Sequence, residues 1–389
     1  MIDYNSFLNK TVTSLKPSGI RKFFDIAQSM EEVISLGVGE PDFITPWHIR
    51  DAGVYSLEKG YTYYTSNSGL LELRREIGNY LLRRFALDYN PDNQVLVTVG
   101  GSEAIDLALR AIIEPGDQVI IPEPSFVCYS PLTAIAGGVA VPVKTTAENG
   151  FRLTAQQLKA AITDKTKLLI LPYPCNPTGG IMEKADLEAV AAVVKEHNLL
   201  VLSDEIYAEL TYSGQHVSIA SLPGMQERTI LVSGFSKAFA MTGWRLGYLC
   251  APKELTVQMT KIHQYAIMCA PTTAQYAAVE AMKSGDADID YMKADYDRRR
   301  RLIYEGLKKI GLDSFEPQGA FYIFPSIKSS GQNSLDFCTG LLKQQNLAVV
   351  PGDAFGDSGE GYVRICYCYS VDHLTQALER MERYLESIK

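Results

Sequence analysis

The chain has 389 residues, of which 46% are hydrophobic and 21% are charged, the proportions of a globular protein with room for a large and a smaller domain. Its net charge of −8 argues against nucleic acid or an anionic membrane as a partner, because both select basic surfaces. The seven cysteines are scattered without a metal-binding spacing, so we expect no metal site and reduced thiols in a cytoplasmic protein.

The N-terminal part of the chain is predicted to be an arm. Its first residues have neither a basic stretch nor an apolar one, so they do not indicate a secretory signal. Beyond it, helical spacing of apolar residues predicts helices over 47–58 and 70–85. An aromatic, hydroxyl-rich loop over 61–69 separates the two helices.

From residue 94 onward, short apolar strands alternate with amphipathic helices. Strands are predicted at 95–99, 118–121, 167–171, 199–202, 229–232 and 246–249. This alternation indicates a mainly parallel sheet that helices cover on both faces. Short strands and helices alternate again after residue 290, which indicates a smaller α+β domain. We therefore expect three segments: an arm that forms part of the small domain (1–45), a large domain (46–285) and a C-terminal small domain (286–389).

The stretch from Ser233 to Gly247 follows one of these strands and contains a lysine among small residues. An amine with a lowered pKa is a nucleophile toward a carbonyl group, which suits Lys237. The planar guanidinium of Arg245 suits a phosphate. One ligand uses both groups, pyridoxal 5′-phosphate (PLP). The alternative is a solvated lysine and a salt-bridged arginine.

Other polar residues also stand where predicted strands end. Asp204 follows an apolar strand, where a carboxylate is costly unless it is paired. Gly100 to Ala104 open a helix, whose N–H groups favour an anion, although this segment taken alone favours a capped helix end without a ligand. Asn176 lies in an Asn-Pro-Thr-Gly turn after a strand, at the edge where α/β sheets bind ligands. Arg364 alternates with apolar residues on a strand and could hold a carboxylate or simply face water.

The segments Gly234-Phe-Ser-Lys237 and Thr242-Gly-Trp-Arg245-Leu-Gly247 resemble the PLP-attachment signature of class I/II aminotransferases of fold type I. Motifs that match the family run from Gly39 to Arg364, so the resemblance covers nearly the whole chain. It implies an α/β fold with a large, mainly parallel sheet covered by helices and a smaller α+β domain.

The resemblance implies catalytic roles for Lys237, Asp204 and Tyr207. In the family, this lysine forms a Schiff base with PLP and then moves the proton of the substrate Cα. The carboxylate keeps the pyridine nitrogen protonated, so that the ring can accept electrons. The tyrosine bonds the phenolic oxygen of the cofactor, and so does the asparagine at the position of Asn176.

The resemblance also implies the remaining contacts of cofactor and substrate. Arg364 would hold the substrate α-carboxylate with help from Asn176 and Gly39, and Phe126 would stack on the pyridine ring. Tyr64 would reach the phosphate bound by the other subunit, which implies a homodimer with shared active sites. The implied phosphate contacts within one subunit are Gly101, Ser102, Glu103, Ala104, Ser236 and Arg245.

One position departs from the family pattern. Many relatives carry a serine that touches the phosphate three residues before the lysine, where this chain has Gly234. Ser236 or Ser233 could take over that contact. The sequence does not choose between them.

The implied activity is transfer of an amino group from an L-amino acid to a 2-oxo acid, commonly 2-oxoglutarate, by a ping-pong route. A PLP-dependent C–S β-lyase similar to cystathionine β-lyase would use the same residues. A PLP-sensing domain of a transcription factor is a further alternative, but such proteins carry a helix-turn-helix segment and this chain begins with the arm. The donor stays open among aspartate, aromatic amino acids and N-acetyl-diaminopimelate. Tyr61, Tyr63 and Phe23 would suit a large side chain but are also ordinary packing residues.

Overall fold

A seven-stranded sheet lies at the centre of the fold. The computed structural model describes residues 2–17 and 32–388, so residues 18–31 of the predicted arm, Phe23 among them, lie outside the described residues. The strands follow the order β2-β8-β7-β6-β5-β3-β4, and neighbours are parallel except at β8, which is antiparallel to β2 and to β7. They span Val95–Thr98 (β2), Gln118–Glu123 (β3), Val139–Lys144 (β4), Thr166–Leu171 (β5), Leu200–Asp204 (β6), Thr229–Gly234 (β7) and Gly247–Cys250 (β8). The predicted parallel sheet is confirmed.

Helices cover this sheet and build much of the remaining structure. Their apolar faces pack on both sides of strands that are buried almost throughout. The α-helices within the described residues are Lys10–Ser14, Trp47–Glu58, Leu71–Phe85, Gly101–Ile112, Tyr129–Ile135, Ala155–Ala161, Lys184–Glu196, Lys253–Ala266, Thr272–Ser284, Asp286–Lys309, Ser334–Gln345 and Val371–Ser387.

One edge strand of the sheet was not predicted. β4 reads Val-Ala-Val-Pro-Val-Lys and pairs only with β3. Pro142 weakens a strand prediction because proline lacks the N–H that a central strand would need. An edge strand tolerates it, and β4 lies at the edge of the sheet.

The second part of the fold contains two small sheets. β9 (Tyr322–Ile323), β11 (Val350–Pro351) and β12 (Val363–Cys366) form an antiparallel sheet in the order β11-β12-β9. β1 (Ile34–Ser35) pairs in parallel with β10 (Leu347–Ala348).

The last part of the arm segment packs with the C-terminal segment. Ile34 and Leu36 are buried in one apolar cluster with side chains of the last two helices, among them Phe337 and Met381. This packing agrees with a small domain that joins both chain ends, and the boundaries at residues 45 and 285 remain a prediction.

The four adjacent arginines from Arg298 to Arg301 lie on the long helix Asp286–Lys309 and are all ion-paired. Arg298 pairs with Asp295, and Arg300 reaches Asp297 at 2.8 Å. Arg299 is buried and pairs with Asp42 at 2.8 Å. The run therefore serves packing and ion pairing rather than a free basic patch.

None of the helices in the described ranges is long and apolar enough to cross a membrane. The seven cysteines, all within those ranges, carry free thiols.

Candidate active site

A cleft of about 320 Å³ lies at the carboxyl ends of the parallel strands, where the small sheets face the large one. Asp204 ends β6, while Ser236 and Lys237 follow β7. Arg364 on β12 approaches from the opposite side. Most of the residues that the sequence analysis identified line this cleft. They are Gly39, Gly101, Ser102, Phe126, Asn176, Asp204, Tyr207, Ser236, Lys237, Arg245 and Arg364.

Lys237 lies in the middle of this cleft. Its Nζ donates a hydrogen bond to the carbonyl oxygen of Gly39 at 2.6 Å. The ring of Phe321 lies 5.5 Å from the same atom and the ring of Tyr207 lies 5.9 Å away. Burial lowers the pKa of Lys237 below its usual 10.5, because the charged amine loses water that the rings do not replace. The shift favours the neutral, nucleophilic amine.

Asp204 is a buried carboxylate without a basic partner among the described residues. Its Oδ2 accepts a hydrogen bond from the hydroxyl of Tyr129 at 2.7 Å, and its Oδ1 accepts one from the N–H of Ile206 at 3.2 Å. Burial raises its pKa from 3.8 to about 6, and the two hydrogen bonds act against that rise. A cationic N–H group in the cleft would stabilise the ionised form.

The start of helix Gly101–Ile112 and Arg245 form one end of the cleft. Gly100 has φ of +81°, and a Cβ placed there would lie 2.7 Å from Nη2 of Arg245. A glycine is therefore required for the guanidinium to pack against the loop. Arg245 Nη1 donates to the carbonyl oxygen of Thr242 at 3.0 Å. Free helical N–H groups beside a guanidinium can bind a phosphate.

Gly234, where relatives carry serine, ends β7 opposite Gly247 of β8. A Cβ at this position would lie 3.0 Å from Cα of Gly247 and 3.2 Å from the carbonyl oxygen of Leu246, so a side chain would crowd the neighbouring strand. Of the two candidate replacements, Ser236 lines the cleft. Ser233 donates instead to the carbonyl oxygen of Glu205 at 3.4 Å. Ser236 is thus the better placed hydroxyl.

Arg364 is buried, and its guanidinium is held on several sides. Nη1 donates to Oδ1 of Asn176 at 2.9 Å, and Nη2 donates to the carbonyl oxygen of Gly37. The ring centroids of Tyr322 and Phe355 lie 4.5 and 4.7 Å from its Cζ. Its Nε has no hydrogen-bond partner among the described residues. A fixed, partly unsatisfied guanidinium suits a carboxylate.

Three residues that the resemblance implied do not line the cleft of this subunit. The Glu103 side chain accepts from the N–H of Val99 and contacts His263 Nδ1 at 2.7 Å, and Ala104 is buried. Only the backbone N–H groups of these two could face an anion, as predicted. Tyr64 is 81% exposed.

Tyr129 and Tyr322 line the cleft and were missed by the sequence analysis. Tyr129 bonds Asp204, and the hydroxyl of Tyr322 lies 2.8 Å from that of Tyr207. Both are among 22 tyrosines, and the partners lie 75 and 115 positions away. A buried carboxylate such as Asp204 needs a hydrogen-bond donor, and this was the only indication in the sequence of a residue like Tyr129. Nothing in the sequence indicated Tyr322.

The family model for Aminotransferase class I and II matches residues 31–381 of this chain. The chain belongs to this family. An aspartate aminotransferase of Pyrococcus abyssi is 47% identical over 96% of this chain and 97% of its own length. An aromatic-amino-acid aminotransferase of Thermococcus litoralis is 44% identical over 98% of this chain and 99% of its own. The crystal structure of an aromatic aminotransferase from Pyrococcus horikoshii superposes with a TM-score of 0.90, at 46% identity over 94% of this chain and 99% of that one.

The protein is therefore a PLP-dependent aminotransferase of fold type I, as the resemblance indicated. The cleft fits that cofactor on its own geometry. Asp204 is buried without a cation, which suits a ring N–H, and the glycine-lined helix start beside Arg245 suits a phosphate. Lys237 offers an amine whose lowered pKa favours attack on a carbonyl group.

The raised pKa of Asp204 predicts how its substitution changes stability with pH. Without PLP, the folded protein holds the Asp204 proton up to about pH 6, whereas an unfolded chain releases it near 3.8. Wild-type stability therefore falls as the pH rises through this window, by about 3 kcal/mol at most. Asp204→Asn buries no charge, so PLP-free Asp204→Asn should gain thermal stability relative to wild type above pH 6 but not at pH 4.

Asp117→Asn provides a control of opposite sign. Hydrogen bonding to Lys167 holds the pKa of Asp117 below its usual value. That carboxylate contributes stability only when it is ionised, so Asp117→Asn should be less stable than wild type by an amount that stays constant above pH 4 and shrinks as the pH falls below 4. A difference between Asp204→Asn and wild type that stays constant from pH 4 to 8 would contradict the assigned pKa.

Proposed function

We propose that this aminotransferase moves the amino group of an L-amino acid to 2-oxoglutarate by a ping-pong route, with Lys237 as the residue that bonds the cofactor. The observation that carries the proposal is one cleft in which a lysine of lowered pKa faces a buried arginine clamp and a buried, cation-free carboxylate. Each group meets a different requirement of the reaction.

When bound, PLP supplies a carbonyl group that condenses with amines and a ring that takes up the electrons released at Cα. Lys237 would hold it covalently, and Asp204 would hold the ring nitrogen. Tyr207 and Asn176 would bond its phenolic oxygen, and Phe126 would pack on the ring. The residues proposed for the phosphate are Gly101, Ser102, Glu103 and Ala104 through their N–H groups, Ser236 and Arg245.

Arg364 would bind the α-carboxylate of the substrate. The bond to Asn176 and the flanking rings of Tyr322 and Phe355 fix the guanidinium plane before a substrate arrives. Preorganisation of this kind lowers the entropy that binding must give up. Gly39 contributes close backbone approach, because a Cβ there would overlap the Tyr322 hydroxyl.

Lys237 would also move the proton of Cα. An amine whose pKa lies closer to neutrality is a better general base than an ordinary lysine. The same amine, once protonated, can return the proton elsewhere on the substrate–cofactor framework. The amino group then stays on the enzyme while the first 2-oxo acid leaves, which is the basis of ping-pong kinetics.

We also propose a homodimer in the cytoplasm. Tyr64 is too exposed to serve its own subunit. Other exposed large side chains are Tyr63 at 80% and Tyr265, in the last turn of helix Lys253–Ala266, at 87%. Such a surface is typical of protein contacts. Hydrogen bonds from Thr272 to the Tyr63 carbonyl and from Gln275 to Thr65 hold the loop that presents Tyr64.

The activity itself is tested with the PLP-loaded protein. Mixed with an amino acid alone, it should release one equivalent of 2-oxo acid and then stop; 2-oxoglutarate added afterwards should yield glutamate. A screen of aspartate, aromatic amino acids and N-acetyl-diaminopimelate would identify the donor, since the relatives are named for more than one of these. Lys237→Ala should abolish both half-reactions.

Two results would contradict this assignment. Steady release of pyruvate and ammonia from cystathionine without a 2-oxo acid would identify a C–S β-lyase. Borohydride reduction should attach the cofactor to the peptide that contains Lys237. A label on another lysine would show that Lys237 does not bond PLP.

Arg364→Ala should separate substrate binding from cofactor binding. The variant should keep PLP, yet its kcat/KM for every amino acid should fall by a factor that corresponds to about 2–5 kcal/mol, because the carboxylate loses its partner. Arg364→Lys should recover little, since an ammonium cannot form two parallel bonds. Amines without a carboxylate provide the control and should be affected far less. Loss of PLP with unchanged amino-acid kinetics in the reconstituted fraction would make Arg364 structural.

Shared active sites predict that two inactive variants complement each other. In a mixed dimer of Lys237→Ala and Tyr64→Ala, one site carries both changes and the other carries neither. Mixing the two proteins under conditions of subunit exchange should therefore restore activity to one site of each hybrid. If Tyr64 served the site of its own subunit, each hybrid site would keep one defect and no activity would return.

A further inference from the structure

Tyr322 occupies a central place in the cleft, and the proposed function gives a role to its ring but none to its hydroxyl. It lies on β9, is 1% exposed, and stands opposite Cys366 of β12, two residues from Arg364. Its ring lies 4.9 Å from that of Phe321 and 4.5 Å from the Arg364 guanidinium. The side chain is therefore held rigidly from several directions.

The hydroxyl of Tyr322 has one hydrogen-bond partner among the described residues, the hydroxyl of Tyr207 at 2.8 Å. Tyr207 follows β6 on the large sheet, so this contact links the two halves of the cleft. Either oxygen could donate in this pair. Each hydroxyl has a single proton. The tyrosine that donates uses its proton in this bond, and the tyrosine that accepts can direct its own proton elsewhere.

We infer that Tyr322 is a positioning residue that donates its proton to the Tyr207 oxygen and thereby directs the Tyr207 proton into the cleft, toward the phenolic oxygen of PLP. The inference rests on the proposed contact of Tyr207 with the cofactor. If Tyr207 donated to Tyr322 instead, its only proton would be used and it could not serve that oxygen. Both side chains line the cleft, but Tyr207 closely follows Asp204, the proposed partner of the cofactor ring, and Tyr322 has no other acceptor among the described residues.

The surroundings keep both hydroxyls protonated and next to each other. Burial raises the pKa of Tyr207 far above its usual 10, and the hydrogen bond from Tyr322 acts against that rise. Burial likewise raises the pKa of Tyr322, so both side chains keep their protons at neutral pH. A Cβ at Gly39 would lie 1.9 Å from the Tyr322 hydroxyl. The bare backbone of Gly39 thus leaves room for this hydroxyl next to the carbonyl group that binds Lys237.

The test is a double-mutant cycle on the visible absorbance of the PLP-loaded protein, titrated with pH in the absence of substrate. Tyr207→Phe and Tyr322→Phe keep both rings and remove one hydroxyl each. Each single variant should shift the midpoint in the same direction, by about 0.4 to 1 pH unit for one hydrogen bond. The double variant should shift it no further than Tyr207→Phe alone, because Tyr322 acts through Tyr207.

Tyr367→Phe is the matched control. Tyr367 is buried in the same apolar cluster but bonds the carbonyl oxygen of Ala320 at 3.2 Å and does not line the cleft, so its removal should leave the midpoint unchanged. Tyr322→Phe should lower kcat with KM for amino acids preserved, because the ring beside Arg364 remains. Tyr322→Leu removes that ring and should raise KM as well.

The outcomes separate the inference from the proposed function. If Tyr207→Phe leaves the midpoint in place, Tyr207 does not contact the cofactor and both ideas fail. If Tyr207→Phe shifts it but Tyr322→Phe does not, only the positioning role is wrong. Additive shifts in the double variant would also overturn it, since Tyr322 would then act independently of Tyr207.

Discussion

The buried carboxylate of Asp204 is the constraint on which the rest of the cleft depends. It ends an apolar strand in the centre of the sheet, where it loses water and, among the described residues, gains only one hydroxyl and one N–H. Folding alone does not compensate such a group, as the pKa of about 6 indicates. A cofactor with a protonated ring nitrogen would stabilise the ionised form, so ligand binding would offset the local cost of burying it.

The positions of the remaining functional groups are determined by where the strands end. Parallel strands deliver Asp204, Lys237 and the helix at Gly101 to one edge of the sheet, because their carboxyl ends coincide. The small sheets provide the opposite wall, from which Arg364 faces the cleft. The two walls meet through short contacts, such as that between Lys237 and the carbonyl group of Gly39. The site therefore depends on how the two halves of the fold pack together.

Much of this arrangement could be predicted from the sequence. The large sheet was predictable because its strands are almost wholly apolar, and β4 escaped prediction because an edge strand tolerates Pro142. Asp204 and Lys237 could be identified because a polar residue at the end of a buried strand is costly unless it has a partner or a function. Tyr129 and Tyr322 could not be identified in this way, since a buried tyrosine is usually a packing residue and the sequence does not show the hydrogen-bond partner of its hydroxyl. Those partners lie 75 and 115 residues away, and only the folded chain brings them together.

Three glycines allow backbone and side-chain groups of the cleft to lie unusually close together. At Gly39, Gly100 and Gly234 an added Cβ would lie 1.9, 2.7 and 3.0 Å from its nearest neighbour, respectively. Those neighbours are the Tyr322 hydroxyl, the Arg245 guanidinium and the backbone of β8. At the first two positions the missing side chain lets a functional group approach the backbone. At Gly234 it allows two strands to approach, because a Cβ there would lie 3.0 Å from Cα of Gly247. The geometry of the cleft therefore depends on close backbone approach at these three positions as well as on its polar side chains.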